Sequence, residues 1–264
     1  MKGPDIPVAE RIARALADPA LPVIPFIHDS SDRFVSPPHR HGRAQLVWAS
    51  AGIVTVRTGQ GEWVIPPNRA VWIPAETEHV TGSRAAVAFR TLYLRADAVP
   101  DAAPDRCAAV AVSPLLRELI LRATALPRAD LSGRFATQLF ALLREELRFL
   151  PDPPLHLPLP QDARLAGFCA GLLADPATAP DLITAAARLG MSRRSFIRLF
   201  QRDLGMSYGH WRQQARLLAS LPMLAEGRPM LGIALDLGYQ SPSAFSAVFR
   251  RVFGVVPTRY FRPE

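Results

Sequence analysis

The sequence predicts an α+β protein of two domains, a β-rich N-terminal domain with flanking helices and an all-helical C-terminal domain. Strand-type segments rich in valine, isoleucine, tryptophan and threonine fill residues 23–94, and helical periodicity dominates after a proline-dense segment at 151–160. A chain of 264 residues is long enough for two domains that each bury a core. We therefore predict a first domain at 1–150, a linker at 151–160 and a second domain at 161–264.

Within the first domain, five runs have strand character: QLVWAS, IVTVRT, EWVI, AVWI and AVAFRTLYL. Residues Gly59, Gln60 and Gly61 separate the second run from the third and predict a hairpin turn. Several short strands at close spacing indicate a barrel or a sandwich. Ahead of them, residues 1–20 have an amphipathic pattern that predicts a peripheral helix.

Two helices are predicted after the strands. Ser113 suits an N-cap, and Pro114 suits the first helical position after it. The second helix is predicted over 131–150, with an apolar stripe. The stripe consists of Phe135, Leu139, Leu142, Leu143, Leu147 and Leu150. Such a stripe faces either the core of its own domain or a dimer seam, and we expect the protein to form a homodimer.

The segment PDPPLHLPLP, residues 151–160, contains too many prolines for a helix or a central strand. We predict a semi-rigid, extended linker there. Beyond it the pattern predicts six helices, at 162–174, 181–188, 192–203, 208–224, 230–237 and 242–253.

Charge is distributed unevenly along the chain. The net charge is +8, and the residues from Ala177 onward contain 12 arginines against 5 acidic residues. A basic domain beside a nearly neutral one indicates a polyanionic partner for the basic part. The two cysteines, Cys107 and Cys169, have no disulfide or zinc spacing, and no apolar run reaches the length of a membrane span. We therefore expect a cytoplasmic protein without a membrane partner.

An internal repeat lies in the basic region. Residues 187–205 align with residues 235–254, so that Gly190 matches Gly238 and Phe196 matches Phe245. Each unit predicts a short helix, a glycine turn, a capping serine and a second helix, which is the helix-turn-helix arrangement. The glycine allows the positive φ that a sharp turn between two helices requires. The sequence thus predicts two helix-turn-helix units in tandem.

The second helix of the first unit carries residues suited to reading DNA. Ser192 caps it, and Phe196, Leu199 and Phe200 can face the core. The exposed face then presents Arg193, Arg194, Ile197, Arg198 and Gln201. Arginine and glutamine suit base edges and phosphates in a major groove. The helix at 208–224 spans roughly 25 Å, near the ~34 Å between successive major grooves, so one chain could place both reading helices on DNA.

The C-terminal hundred residues resemble the signature of the AraC/XylS transcription regulators. The matching motifs are S-x-x-x-[LF]-x-R-x-F from Ser192, G-x-S from Gly205, R-x-x-A-R-L-L from Arg212, I-A-x-x-L-G-Y from Ile233, S-x-F-x-x-x-F-R from Ser243 and G-x-x-P-x-x-Y from Gly254. The resemblance implies a sequence-specific regulator that binds promoter or operator DNA, and that meets RNA polymerase if it is an activator.

Carried over by position, the resemblance implies two sets of DNA contacts. The first reading helix supplies Arg194, Ile197, Arg198 and Gln201, with Arg193 beside them. The second supplies Gln240, Ser241, Pro242, Ser243, Ser246 and Ala247, with Arg250 and Arg251 placed for the DNA backbone. This chain departs from the family in the small side chains of the second set and in Pro222, which favours a kink in the connecting helix.

The N-terminal segment around His39-x-His41 resembles the cupin-type sensing domains of this family, which implies a β-barrel that binds a small-molecule effector. Metal-binding cupins place a carboxylate four residues after the second histidine and a third histidine after a proline turn. Here those positions hold Gln45 and His79, and Glu76 replaces the usual glycine. Three imidazoles suit a divalent transition metal, although no cofactor is required, and the same residues could instead line an effector pocket.

Two other functions are compatible with parts of the sequence. A metal-dependent cupin enzyme fused to a DNA-binding domain is the main alternative, but Gln45 replaces the expected carboxylate, and no P-loop is present. An architectural DNA-binding protein without a sensor is the second, and the aromatic-rich N-terminal domain argues against it. We expect no enzyme activity. The N-terminal pattern is also similar to regulators of a neighbouring transporter gene.

Overall fold

The computed structural model describes residue 16, residues 18–150 and residues 155–261. The helix that the sequence predicts within 1–20 lies almost wholly outside this part of the chain. No helix among the described residues has the length and apolar character needed to cross a membrane.

The chain forms two compact units. One contains Met1–Thr58 and Ile65–Pro153, and the other contains Gly59–Val64 and Pro154–Glu264. Strand β11 (His156–Pro158) pairs antiparallel with β5 (Gly61–Ile65), and the Trp211 indole N–H donates to the Pro158 carbonyl at 2.8 Å. These contacts join the short segment Gly59–Val64, from the first quarter of the chain, to the C-terminal unit. The sequence predicts one division of the chain near residue 150. It does not reveal that Gly59–Val64 belongs to the C-terminal unit.

The first unit holds two antiparallel sheets and two helices. Its strands are β1 (Val23–Ser30), β2 (Phe34–Val35), β3 (Ala44–Ala51), β4 (Val54–Thr58), β6 (Arg69–Ile73), β7 (His79–Ser83), β8 (Val87–Leu94), β9 (Ala108–Ala111) and β10 (Arg148–Leu150). The larger sheet has the order β1-β8-β3-β6-β9-β10, while β2 and β4 flank β7. Helices α1 (Pro114–Thr124) and α2 (Arg134–Glu145) follow β9. The β-rich domain with flanking helices is therefore confirmed.

The main core of this unit lies between the larger sheet and the two helices. Alternate residues of β3, β6 and β8 point to this side, because side chains along a strand alternate between the two faces. The buried cluster includes Leu46, Trp48, Trp72, Leu92, Leu116, Ile120, Phe140 and Leu143. The other residues of the same strands point inward between the two sheets, where Gln45, Thr91 and Tyr93 are also buried. The polar interior positions belong to the candidate site described below.

Two predictions for this unit are wrong in detail. The helix predicted over 131–150 ends at Glu145, and Arg148–Leu150 forms β10 against β9. A proline follows Leu150, and the residue before a proline disfavours helix and favours extended backbone. Strand β9 is absent from the sequence prediction because its residues Ala108–Ala111 are mostly alanine, which has little strand propensity. Pairing with β6 on one side and β10 on the other stabilises it.

The second unit is helical apart from its β5–β11 pair. Its helices are α3 (Ala163–Ala174), α4 (Leu182–Arg188), α5 (Arg193–Leu204), α6 (Tyr208–Ala225), α7 (Met230–Asp236) and α8 (Pro242–Phe253). Each helix ends within one residue of its predicted boundaries. Helices α4 and α5 form the first helix-turn-helix unit, α7 and α8 form the second, and α6 connects them. Pro222 lies inside α6, and the helix continues past it to Ala225. The tandem arrangement is confirmed.

The two turn glycines adopt the predicted left-handed backbone. Gly190 has φ of +64° and Gly238 has φ of +71°. The capping serines also act as expected, since Ser192 and Ser241 accept hydrogen bonds from backbone N–H groups in the first turns of α5 and α8. The two turns differ in their surroundings. A Cβ at Gly190 would meet open space, whereas a Cβ at Gly238 would lie 3.1 Å from the Ala177 carbonyl oxygen.

This difference predicts unequal costs for the same substitution at equivalent positions. Gly190→Ala adds only the strain of an alanine in the left-handed backbone region and should lower the free energy of unfolding by about 1 kcal/mol. Gly238→Ala adds a clash with backbone atoms and should cost roughly 1–3 kcal/mol more. Urea unfolding of the full-length variants, followed by tryptophan fluorescence, measures both. Equal losses would show that the Gly238 turn has room for a side chain.

Candidate functional site

Helix α5 separates an aromatic face from a basic one. Phe196, Leu199 and Phe200 are buried. The Phe196 ring lies 5.4 Å from the Tyr208 ring, and the Phe200 ring lies 6.0 Å from the Trp211 ring, both edge to face. These contacts with α6 fix the rotation of α5 about its axis. The opposite side of the helix must therefore face solvent.

The exposed face of α5 contains every residue that the sequence assigned to it. These are Arg193, Arg194, Ile197, Arg198 and Gln201. They line an open depression together with Arg202, which follows Gln201 in the chain and was not among the predicted contact residues. Ile197 stays 44% exposed among these polar residues, an arrangement that suits contact with a thymine methyl group. None of the four arginines forms an ion pair with another described residue, so their charge is available to a polyanion.

The equivalent face of α8 is less charged. Its predicted contact residues lie at the surface, either exposed or half-buried: Gln240, Ser241, Pro242, Ser243, Ser246 and Ala247. The Ser241 hydroxyl already accepts the Ala244 N–H, so part of its hydrogen-bonding capacity serves the helix cap. Arg250 and Arg251 are exposed at the other end of the helix, and Arg251 donates to the Gln213 side chain of α6 at 3.3 Å. The charge on this helix therefore lies away from its first turn.

Two further signature arginines serve the fold. Arg212 and the Tyr208 hydroxyl both donate to the Pro180 carbonyl, at 2.7 and 2.8 Å, and Arg216 donates to the Pro176 carbonyl at 3.1 Å. These bonds hold the segment before α4 against the connecting helix. A motif match by itself does not separate arginines of this kind from those that face solvent.

A second group of candidate residues lies in the N-terminal unit. The backbones of His39 and His79 exchange two hydrogen bonds of 2.9 and 3.1 Å, which place the two side chains together. His41 joins them, with its ring 5.3 Å from the His79 ring. The ring nitrogens available to a metal lie within 4.8 Å of one another. The structure thus brings together the three histidines that the sequence singled out.

Backbone carbonyls set the tautomer of these histidines. The Nδ1 atoms of His39, His41 and His79 lie 2.9, 2.7 and 2.8 Å from the carbonyl oxygens of Pro37, Arg43 and Thr77. A carbonyl can only accept, so each Nδ1 carries the proton and each neutral ring keeps its lone pair on Nε2. The Nε2 atom of His79 is buried and has no hydrogen-bond partner in the described part of the chain.

Gln45 completes the group through a second set of hydrogen bonds. The Thr91 hydroxyl donates to the Leu46 carbonyl, and the Gln45 amide nitrogen donates to the Thr91 oxygen at 3.0 Å. The network therefore assigns the Gln45 carbonyl oxygen to the other side, 3.1 Å from Nε2 of His41. In a neutral His41 this contact brings two lone pairs together. A cation near them removes the repulsion.

Burial makes a proton a poor candidate for that cation. It lowers the pKa of His41 and lowers the pKa of His79 to about 4, and in both cases desolvation outweighs the hydrogen bonds that raise the pKa. Imidazole nitrogens backed by carbonyl acceptors are a usual donor set for transition metals. The residues present therefore fit a metal ion, and the donor set contains no carboxylate among the described residues.

Comparisons with known proteins agree with both units. Residues 185–263 match the helix-turn-helix domain family, and residues 21–151 match the AraC-like ligand binding domain family. Over 234 residues the chain is 32% identical to the HTH-type transcriptional regulator NimR of Escherichia coli K12, covering 89% of this chain and 85% of NimR. The chain belongs to the AraC family of transcriptional regulators. The family resemblance and the fold class predicted from sequence are confirmed.

Other similarities are more limited in extent or in identity. The regulatory protein SoxS of Salmonella typhimurium is 38% identical over 76 residues, covering 28% of this chain and 71% of SoxS. The structure of ToxT from Vibrio cholerae covers 90% of this chain and 97% of its own, with 11% identity and a TM-score of 0.38. This AraC-family chain thus pairs a ligand-binding N-terminal domain with a helix-turn-helix DNA-binding domain.

Proposed function

We propose that this AraC-family regulator reads operator DNA mainly through α5 and uses α8 as a weaker second reader. The observation that carries the proposal is the unpaired basic face of α5. All five residues line one open depression; we assign Arg194, Arg198 and Gln201 to base edges, and Arg193 and Arg202 to phosphates. The small side chains of α8 supply shape and backbone contacts, with Arg250 and Arg251 toward the DNA backbone.

Removal of the α5 arginines should test this assignment. Arg194→Ala and Arg198→Ala should each weaken binding to the DNA upstream of the gene by about 1–3 kcal/mol and lessen discrimination against unrelated DNA. Fluorescence anisotropy at several salt concentrations measures both effects. Arg33→Ala, an exposed arginine of the other unit, removes the same charge and serves as the control. Binding by the α5 variants that equals the control would place the reading surface elsewhere.

We also propose that the regulator is a homodimer joined through α2. The structure divides the predicted apolar stripe, because Leu139, Leu143 and Leu147 are buried while Phe135 and Leu142 are 53% and 46% exposed. The exposed pair recurs at a helical spacing of seven residues and so lies on one side of the helix.

Charges at the two ends of α2 favour a second copy of the same helix as the partner. Arg134 is exposed at the start of the helix and Glu145 at its end. In an antiparallel pair related by a twofold axis, each arginine approaches the glutamate of the other chain while Phe135 meets Leu142. The contact is thus self-complementary in both charge and apolar surface.

A charge placed on this surface should separate the two copies. Leu142→Glu should weaken self-association at least about tenfold, because it places a carboxylate in the apolar contact. Thr137→Glu adds the same charge to an exposed position on another side of α2 and should leave the dimer intact. Analytical ultracentrifugation over a concentration series measures both variants. A wild-type protein that stays monomeric, or equal effects of the two substitutions, would exclude this interface.

We propose that His39, His41 and His79, with the Gln45 carbonyl oxygen, hold one divalent transition metal in the N-terminal domain. Support comes from three imidazoles whose Nδ1 atoms all face backbone carbonyls, from the buried Nε2 of His79, which has no hydrogen-bond partner among the described residues, and from the contact between His41 and Gln45. The nitrogen-rich set suits zinc, nickel, copper or iron.

Metal content provides the test. After incubation with Zn²⁺ and extensive dialysis, the protein should retain about one equivalent, since three imidazoles are enough to hold zinc. His79→Ala should lose it, whereas His210→Ala, which removes an exposed histidine of α6, should not. Elemental analysis gives the stoichiometry, and circular dichroism checks that the variants fold. Equal retention by both variants would mean that the histidine cluster does not bind the metal.

The remaining parts of the proposed function are the effector, the target gene, the cellular location and the transcription machinery. We propose that a small-molecule effector acts on the N-terminal domain, that the target is a neighbouring transporter gene, and that the protein works in the cytoplasm, with RNA polymerase as a partner if it activates. Similarity to NimR along most of both chains favours a regulator over a metal-dependent enzyme.

A further inference from the structure

The proposed metal site has no acidic side chain among its donors. Its donors are three imidazoles, each with its Nδ1 against a backbone carbonyl, and one carboxamide, so these four side chains contribute no negative charge. A divalent ion there would carry two positive charges into a partly buried place without compensation. Such a charge is costly unless a counterion is near.

Neither Arg43 nor Glu76 would compensate the positive charge of such an ion. The Arg43 guanidinium donates to the Leu21 and Asp18 carbonyls and would in any case add positive charge. Glu76 donates its backbone N–H to the His41 carbonyl, but its carboxylate is exposed and does not belong to the group of converging donor atoms. Among the described residues, the cluster therefore lacks an acid that could bind the ion directly.

The hydrogen bonds around Gln45 favour a neutral amide, and not a carboxylate, at this position. Thr91 receives the amide N–H₂ and directs the carbonyl oxygen toward His41. A carboxylate at position 45 would face the Thr91 hydroxyl, whose proton already goes to the Leu46 carbonyl. The surroundings of this position therefore match an amide and its neutral charge.

Solvent can reach the cluster from one side. His39 and His41 are half-buried, whereas His79 and Gln45 are buried. A molecule that approaches a metal held by these four residues would come from the side of His39 and His41. A molecule entering from there would contact the ion directly.

We infer that the effector of this regulator is a small anion of the carboxylate type that binds directly to the metal and supplies the negative charge that Gln45 lacks. The inference rests on the metal site proposed above. On this inference the metal stays bound to the sensor domain, and the anion is the molecule that the regulator detects. A neutral molecule of the same shape would gain much less, because it leaves the charge of the ion uncompensated.

Cobalt provides a direct readout of this binding. Full-length protein loaded with Co²⁺ would be titrated with acetate, azide and acetamide, and the visible d–d bands of the ion would be recorded. Acetate and azide should shift the bands with saturation, whereas acetamide, the neutral analogue of acetate, should leave them unchanged. Thermal unfolding of the same samples should show a higher Tm with the anions alone.

Two variants test whether the charge at position 45 or the charge at position 76 controls acetate binding. Gln45→Glu places a fixed carboxylate at the site and should still bind Co²⁺ but weaken acetate binding at least about tenfold. Glu76→Gln removes the exposed carboxylate nearby and should leave both the cobalt spectrum and the acetate affinity close to those of the wild type. Circular dichroism confirms that each variant folds.

The outcomes separate this inference from the metal proposal. If the wild type binds Co²⁺ but its spectrum ignores acetate and azide, or answers acetamide equally, the anionic effector is excluded and the metal site remains. Loss of Co²⁺ from Glu76→Gln would show that Glu76 is a ligand and would overturn the charge argument. A wild type that binds no Co²⁺ overturns both proposals.

Discussion

The packing of one aromatic face of α5 against α6 determines what the C-terminal domain can do. Phe196 and Phe200 are buried beside Tyr208 and Trp211, and a helix with one side held in this way has only one side left for solvent. That side carries the unpaired arginines. The apolar contact between α5 and α6 therefore stabilises the unit and also determines which way the arginines of α5 face.

The same unit shows why the family signature mixes residues with different roles. Arg212 and Arg216 hold backbone carbonyls of the segment before α4, whereas Arg194 and Arg198 contact no acidic residue in the described structure. Both kinds belong to the region that resembles the family. A substitution at Arg212 would act on the fold first and on DNA binding only through it.

In the N-terminal domain, backbone carbonyls take the place that charged side chains have in many metal sites. They accept the Nδ1 proton of each histidine and so leave the Nε2 lone pair of each neutral ring available. In the proposed metal site, a donor set without an acid would leave the charge of a bound ion to be balanced from solution, which would suit a sensor.

The sequence alone determined the family, the helices of the C-terminal unit and the exposed face of α5, because helical periodicity and capping residues are local signals. It also singled out His39, His41 and His79 through their spacing. Only the tertiary structure decided that Phe135 and Leu142 stay exposed while their neighbours in the stripe are buried, that β9 forms from alanines, and that β5 joins β11. These features depend on which distant segments pair, and residues separated by tens of positions acquire such contacts only when the chain folds.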